Sequence, residues 1–193
     1  MIFPPLWQSE KGLAMVGSVP VVETARLRLR GHRLEDFDDC AVLWSDPIVT
    51  RFIGGKPSTR DESWMRLLRN VGHWSLLGFG YWLVEERASN QFVGEIGFSE
   101  LKREIEPSFE GIPEAGWVLA PCAHGKGFAT EAVSAILAWG DGRFAGGPTV
   151  CIINPDNAAS IRVAAKCGYR EFVRTTYKGA PIIQYRREFL NDT

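Results

Sequence analysis

The sequence predicts an α/β (α+β) fold, in which helices pack on a central sheet. Two kinds of hydrophobic pattern support this prediction. Residues 81–85 and 92–98 have a period of two, which is typical of strands, whereas residues 34–44 have the spacing of an amphipathic helix. Both kinds of pattern recur in turn along the chain, as they do in domains that combine sheets with helices.

The order of the elements follows from these patterns. Residues 24–30 alternate apolar and basic side chains and predict a half-exposed strand. Two helices follow, and the second opens on a capping box, with Thr59 three residues before Glu62, and ends near Gly78. The remaining predicted elements are a hairpin at 81–85 and 92–101, a strand at 114–119, a helix after residue 127, a buried strand at Thr149–Ile153, a helix at 158–167, and strands at 169–177 and 182–189.

A glycine-rich turn lies between the strand at 114–119 and the next helix. Gly125 and Gly127 allow backbone torsions that other residues avoid, so consecutive N–H groups can face one anion. The first N–H groups of the helix have no partner within it, and its dipole favours negative charge there. We therefore expect a phosphate group at this turn, although a helix that starts on a glycine turn without any ligand is an open alternative.

Neither of the two common phosphate-binding loops matches the chain. The dinucleotide fingerprint requires a third glycine where this chain has Thr130. A P-loop requires Ser or Thr after the lysine, but Lys56 is followed by Pro57. The turn therefore belongs to neither of these two classes of loop.

The turn resembles the acyl-CoA-binding signature of the GNAT superfamily of N-acetyltransferases. That signature has an aliphatic residue, a Gln or Arg, a Gly, and then Gly or Ala, at the positions of Leu119, His124, Gly127 and Ala129. His124 departs from the family pattern. Three further stretches, 24–30, 94–97 and 157–169, are similar to the branch that contains ribosomal-protein N-terminal acetyltransferases.

The resemblance extends from about Val22 onward and implies a fold and a cosubstrate. The implied fold is a mixed, mostly antiparallel sheet with splayed central strands and about four flanking helices. Acetyl-CoA is the implied cosubstrate, with its diphosphate on the backbone amides of the turn and its thioester carbonyl on the N–H of Leu119. The residues that the resemblance assigns to coenzyme binding are Leu119, His124, Gly125, Lys126, Gly127, Phe128, Ala129, Thr130, Asn157 and Ser160.

The catalytic groups are less well defined by the sequence. Attack by an amine on a thioester requires loss of a proton, for which a carboxylate is suited. Glu114 matches a position where relatives often have a glutamate, and Glu95 is the second candidate; either could instead be a solvated carboxylate at a strand end. The tyrosine that many relatives use to protonate the thiolate is replaced by Ala164, which leaves Ser160 or solvent for that step.

Asn157 and Ser160 have two interpretations. They lie one helical turn apart, so both side chains can face the coenzyme. Asn157 is also a plausible N-cap, with Ser160 as a small residue of the first turn. The resemblance favours binding.

Composition limits the partners. Basic and acidic residues nearly balance, at 22 and 23, so no broad electrostatic surface for nucleic acid or an anionic membrane is expected. The four cysteines form no Cys-x-x-Cys pair, which favours reduced thiols in the cytoplasm. Cys122 and His124 have no second pair of ligand spacing, so no metal is expected.

The most probable function from the sequence is acetyl transfer from acetyl-CoA to a primary amine, on a small molecule or a protein N-terminus. A non-catalytic acyl-CoA-binding module of the same fold is the alternative. Residues 1–20, with no clear periodicity, predict a poorly ordered extension, and residues 21–193 one catalytic domain. A monomer and a homodimer are both compatible with the sequence.

Overall fold

The computed structural model describes residues 18–188. Most of the predicted N-terminal extension therefore lies outside the described residues, as does Phe189 at the predicted end of the last strand. The strands are β1 (Val22–Glu23), β2 (Leu27–Arg30), β3 (Tyr81–Glu86), β4 (Phe92–Ser99), β5 (Glu114–Leu119), β6 (Thr149–Ile153), β7 (Arg170–Tyr177) and β8 (Ala180–Arg187). The helices are α1 (Phe37–Ser45), α2 (Pro47–Thr50), α3 (Arg60–Leu77), α4 (Phe128–Arg143) and α5 (Ala158–Lys166).

The eight strands form one sheet in the order β1-β2-β3-β4-β5-β6-β8-β7. Every neighbouring pair is antiparallel except β5 and β6, which are parallel. β5 pairs with β4 along its whole length but with β6 only where Glu114 lies opposite Val150. The two strands therefore separate after Glu114, and this fork confirms the expected splay of the central strands.

The two faces of the sheet carry different partners, as β4 illustrates. Phe98 stacks on Trp139 of α4 and meets Phe144, just after α4, edge to face. Glu95 points the other way, because successive side chains of a strand alternate between faces, and it contacts α1 and α3. β5 follows the same alternation, so Glu114, Gly116 and Val118 share the face of Glu95.

Local sequence signals account for most of the helix ends. Thr59 and Glu62 form the predicted capping box at the start of α3, and α3 ends at Gly78 with a φ of 69°. The helix α2 was not predicted because it is only four residues long; it begins at Pro47 and is capped by Asp46, whose carboxylate accepts from the N–H of Ile48.

The start of the described chain is also part of the packed structure. Val19 packs against the main core, and the Pro20 carbonyl accepts a hydrogen bond from the indole of Trp82. Val19 and Pro20 thus contact the domain. Over residues 18–188, none of the helices combines the length and apolar character needed to span a bilayer.

Candidate active site

The glycine turn between β5 and α4 is open to solvent. His124, Gly125, Lys126 and Gly127 are all exposed, and the two glycines have φ of 74° and 79°. Gly127 is the N-cap of α4 and offers no side chain to the first turn of the helix. Within the described part of the chain, the backbone N–H groups of residues 125–130 donate to no protein acceptor. The turn therefore presents unpaired donors at the positive end of a helix of 16 residues.

Thr24 and Arg26, which lie between β1 and β2, form hydrogen bonds that hold the turn and the first residues of α4 in place. The Glu131 carboxylate in α4 accepts from the Thr24 hydroxyl at 2.6 Å and from the Arg26 guanidinium at 2.6 Å. The same guanidinium donates to the Lys126 carbonyl at 2.9 Å and lies over the Phe128 ring. Burial raises the pKa of Glu131, but the bonds from Thr24 and Arg26 outweigh it and hold the pKa below its ordinary value. The predicted strand of alternating arginines thus supports the turn.

The backbone of β5 exposes free groups at the fork. The Ala120 N–H donates to the Val93 carbonyl on the β4 side, whereas the Pro113 carbonyl accepts from the Val150 N–H on the β6 side. Because neighbouring residues of a strand direct their N–H and C=O groups to opposite sides, the N–H of Leu119 points to the β6 side. β6 is no longer paired at that level, so this N–H faces the fork.

His124 completes the end of β5. Its Nε2 lies 3.0 Å from the Leu119 carbonyl, on the same side as the fork. The imidazole is therefore hydrogen-bonded to the Leu119 carbonyl and leaves the N–H of Leu119 free. Although His124 departs from the family pattern, it makes a defined contact within the turn.

α5 borders the fork on the β6 side. Asn157 caps α5, because its Oδ1 accepts a hydrogen bond from the N–H of Ser160 at 3.1 Å, as the capping interpretation predicts. Its side-chain N–H₂ group takes no part in this bond and can still donate. The Ser160 hydroxyl accepts from the indole of Trp117 in β5 at 3.2 Å and keeps its own proton for donation. Ala164 is fully buried in the core, so the position of the missing tyrosine is filled by packing.

Glu114 lies at the base of the fork in an ion pair. Its two carboxylate oxygens accept from Arg103 at 2.6 and 2.9 Å, and the Arg103 guanidinium also lies over the Tyr177 ring. Burial lowers the pKa of Arg103, but the bonds to Glu114 outweigh it and raise the pKa. Arg103 was not expected from the sequence, because the pairing joins a loop to a strand without any local pattern.

Glu95 is 1 % exposed and is surrounded by donors. Its carboxylate accepts from His32 at 2.6 Å, from Asn70 at 3.0 Å and from the indole of Trp44. Burial raises the pKa of Glu95, and the bonds from His32 and Trp44 outweigh it and lower the pKa. His32, Cys40 and Glu95 place one potential metal-binding atom each within 4.8 Å of one another, but Asn70 and Trp44 already occupy the carboxylate. These contacts join β4 to α1 and α3.

Tyr81 is a residue of this face that the sequence argument missed. It lies opposite Gly97 in β4, and its hydroxyl lies directly over Gly116 in β5, where a Cβ atom would come within 1.9 Å of the oxygen. Two glycines in register on adjacent strands leave the space for the ring. Both glycines are visible in the sequence, but only the strand register shows that they lie side by side.

Comparison with known proteins shows the family of this chain. The family model of the GNAT acetyltransferase domain matches residues 26–170. The protein YkkB of Bacillus subtilis, which is uncharacterised, is 32 % identical over 174 residues, covering 87 % of this chain and 95 % of its own. The chain therefore belongs to the GNAT acetyltransferase family.

Solved structures show the same fold. A protein from Bordetella pertussis assigned to the GNAT family superposes with a TM-score of 0.77 at 29 % identity, covering 87 % of this chain and 99 % of its own. RimL, a ribosomal-protein alpha-N-acetyltransferase solved with coenzyme A, gives a TM-score of 0.70 at 15 % identity over 88 % of this chain and 98 % of its own. At that identity the likeness to RimL concerns the fold alone.

The predicted site residues fall into three groups in space. The turn residues, His124 through Thr130, lie together at the start of α4, and Leu119, Asn157 and Ser160 flank the fork. Glu114 and Glu95 lie on the opposite face of β5 and β4 from Trp117, which points to Ser160. Ser160 and the two candidate bases, Glu114 and Glu95, therefore lie on opposite faces of the sheet.

Proposed function

We propose that this protein transfers the acetyl group of acetyl-CoA to an amine by direct attack within a ternary complex. Two neighbouring features carry the proposal. The N–H groups of residues 125–130 have no partner within residues 18–188, and β5, which leads into this turn, separates from β6. Family membership supports acetyl transfer in general. The choice of acetyl-CoA, of an amine acceptor and of individual residues is our inference.

The diphosphate would bind at the turn. Oriented N–H groups and the dipole at an exposed helix N-terminus stabilise a bound anionic group by about 0.3–1 kcal/mol. Among residues 18–188, the N–H groups of Gly125, Lys126, Gly127, Phe128 and Ala129 have no protein acceptor, and Thr130 adds a hydroxyl at the first turn. His124 would act by holding the end of β5 in place through its contact with the Leu119 carbonyl.

The thioester would lie in the fork. The N–H of Leu119 would donate to the thioester carbonyl oxygen, which gains negative charge as the amine attacks. Asn157 and Ser160 would contact the arm of the coenzyme from α5, through the free side-chain N–H₂ of Asn157 and the hydroxyl of Ser160. Held in this way, the two reactants need no further activation of the acyl group.

Proton transfer would divide between two sides of the sheet. The amine forms a bond to the carbonyl carbon and loses a proton, which would reach Glu114 through bridging water, because Glu114 and Leu119 lie at opposite ends of β5, about 16 Å apart along an extended strand. The bond between carbon and sulfur then breaks, and the thiolate takes a proton from Ser160 or from solvent. Both oxygens of Glu114 are bonded to Arg103, so the acceptor would use their remaining lone pairs. Glu95 is enclosed by His32, Asn70 and Trp44, which favours Glu114 as the base and a positioning role for Glu95.

The cellular setting is also a proposal. All four cysteines are free thiols, which supports a reducing compartment such as the cytoplasm. The near balance of charges supports an acceptor other than nucleic acid or a membrane surface.

Release of free thiol from acetyl-CoA, measured over a panel of primary amines, tests the proposal. We expect turnover with at least one amine and formation of the corresponding N-acetyl product by mass spectrometry. Tight binding of coenzyme A without turnover of any amine would instead support the non-catalytic binding module. Absence of coenzyme binding would contradict both.

A further inference from the structure

Arg66 in α3 is a half-buried cation without a protein counter-ion. Its guanidinium stacks on the indole of Trp44 at 3.6 Å from the ring centroid. Its Nε is buried and has no hydrogen-bond partner, and within residues 18–188 no carboxylate lies at ion-pair distance from it. Burial lowers the pKa of Arg66, as expected for a charge that has lost water without gaining a partner.

The two carboxylates described on this face of the sheet, Glu95 and Glu114, are already hydrogen-bonded to other side chains. Glu95 is saturated by His32, Asn70 and Trp44, and Glu114 is bonded through both oxygens to Arg103. A second arginine, Arg69, lies one turn further along α3 and adds to the positive charge near Arg66. Glu95 and Glu62 act on Arg66 only through space, so its guanidinium keeps a buried N–H without a hydrogen-bond partner.

The position of Arg66 relates this charge to the reaction. Trp44, on which Arg66 stacks, packs in one cluster with Val118, the residue before Leu119. Tyr81, whose hydroxyl lies over Gly116, is close enough to influence the pKa of Arg66. Arg66 thus lies on the face of β5 that carries Glu114, which is the side from which the acceptor would approach.

We propose that the acceptor is an amino carboxylate and that its carboxylate pairs with the guanidinium of Arg66 while its amine reaches the fork. This inference rests on the proposed acetyl transfer and narrows its acceptor class. A guanidinium offers planar, parallel N–H groups that match a carboxylate, and the pair is strongest where water is excluded. A cationic polyamine would meet repulsion from Arg66 and Arg69 instead.

Matched pairs of acceptors test the assignment. Glycine, β-alanine and γ-aminobutyrate are each compared with the corresponding amide, which has the same length and a primary amine but lacks the carboxylate charge, and O-phosphoethanolamine and spermidine complete the panel. For at least one length we expect kcat/KM for the acid to exceed that for its amide by about tenfold or more, which corresponds to one ion pair of about 1.4 kcal/mol. Amides equal to their acids at every length would overturn the assignment, and so would a preference for O-phosphoethanolamine or spermidine.

Substitution of Arg66 separates recognition from packing. In R66Q we expect the preference for the acid to disappear while KM for acetyl-CoA stays unchanged, and in R66K we expect it to be partly retained. R170Q is the matched control, because Arg170 is an exposed arginine on the edge strand β7. An equal loss for acid and amide in R66Q would mean that Arg66 only packs on Trp44, and would contradict the proposal.

A binding measurement distinguishes failure of this inference from failure of the proposed function. Calorimetric titration of the N-acetyl derivatives of the same three acids into the protein saturated with coenzyme A requires no turnover. We expect binding by the wild-type protein and by R170Q, and its loss in R66Q. If no amine is turned over but this pattern is seen, acetyl transfer fails and the carboxylate site remains; if no derivative binds, or if R66Q binds equally well, the carboxylate site is wrong.

Discussion

Arg26 and Glu131 join two distant parts of the chain at the base of the glycine turn. Their side chains form an ion pair at 2.6 Å, and the backbone N–H of Arg26 donates to the same carboxylate at 2.9 Å. Arg26 also holds the Lys126 carbonyl, so the backbone of the turn is fixed on one side while its N–H groups stay free on the other. The pair therefore preorganises the proposed diphosphate site.

Replacement of Arg26 should weaken coenzyme binding more than it affects the chemical step. In R26Q the Lys126 carbonyl and the Glu131 carboxylate lose their donor, so the turn has to be ordered when the coenzyme binds. We expect about a tenfold rise in KM for acetyl-CoA with kcat within about twofold of wild type. R28Q, at a half-exposed arginine of β2 that pairs with Glu23, is the control. A fall in kcat with unchanged KM would contradict the proposed role.

Glu131 should give the fold a pH dependence in the acid range. Its pKa lies below the ordinary value of 4.5, because its bonds to Thr24 and Arg26 favour the ionised form despite partial burial. The stabilisation is therefore complete above pH 4.5 and is lost as the pH falls through the lower folded pKa. The difference in free energy of unfolding between wild type and E131Q, measured by urea titration, should shrink from about pH 6 to about pH 3. A difference that stays constant over that range would show that the carboxylate charge contributes nothing.

Glu114 should control the proton step. In E114Q the side chain keeps its shape but cannot accept a proton, so we expect kcat to fall by about 100-fold or more, with the pH–rate profile changed on its acid side. Loss of the partner of Arg103 also reduces stability, so the thermal midpoint is measured in parallel. E110Q is the control, because Glu110 is an exposed carboxylate in the loop that carries Arg103, and it pairs with Lys102. Retained activity with an unchanged pH profile in E114Q would remove Glu114 from the mechanism.

Glu95 should matter for stability before it matters for chemistry. In E95Q the new amide group would face donors from His32, Trp44 and Asn70 in a buried site, so about 2–4 kcal/mol of unfolding free energy should be lost. Chemical denaturation measures this loss. A variant as stable as wild type but inactive would instead identify Glu95 as the base.

Local patterns in the sequence were sufficient to predict most of the fold. The capping box of α3, the glycine turn before α4 and the burial of β6 depend on neighbours in the chain, and each is confirmed. The short α2 and the two-residue β1 were missed because such elements contain too few residues to show a period.

The side-chain partners of the site were less predictable. Arg103 with Glu114, Arg26 with Glu131, and Tyr81 over Gly116 depend on strand register and loop path. No local period encodes these relationships. The resemblance supplied the positions of the backbone donors, but it carried no information on the contacts specific to this chain, such as His124 with the Leu119 carbonyl or Arg66 on Trp44.

Calorimetric titration of coenzyme A into G127A and G179A tests the central claim most directly. Both glycines have a φ of 79°, so an added Cβ strains each backbone similarly, by about 1–2 kcal/mol, but only Gly127 lies in the turn; Gly179 lies between β7 and β8. If the free N–H groups of the turn hold the diphosphate, Kd should rise about tenfold or more in G127A and stay within about twofold of wild type in G179A. Equal affinities in the two variants would contradict coenzyme binding at this turn.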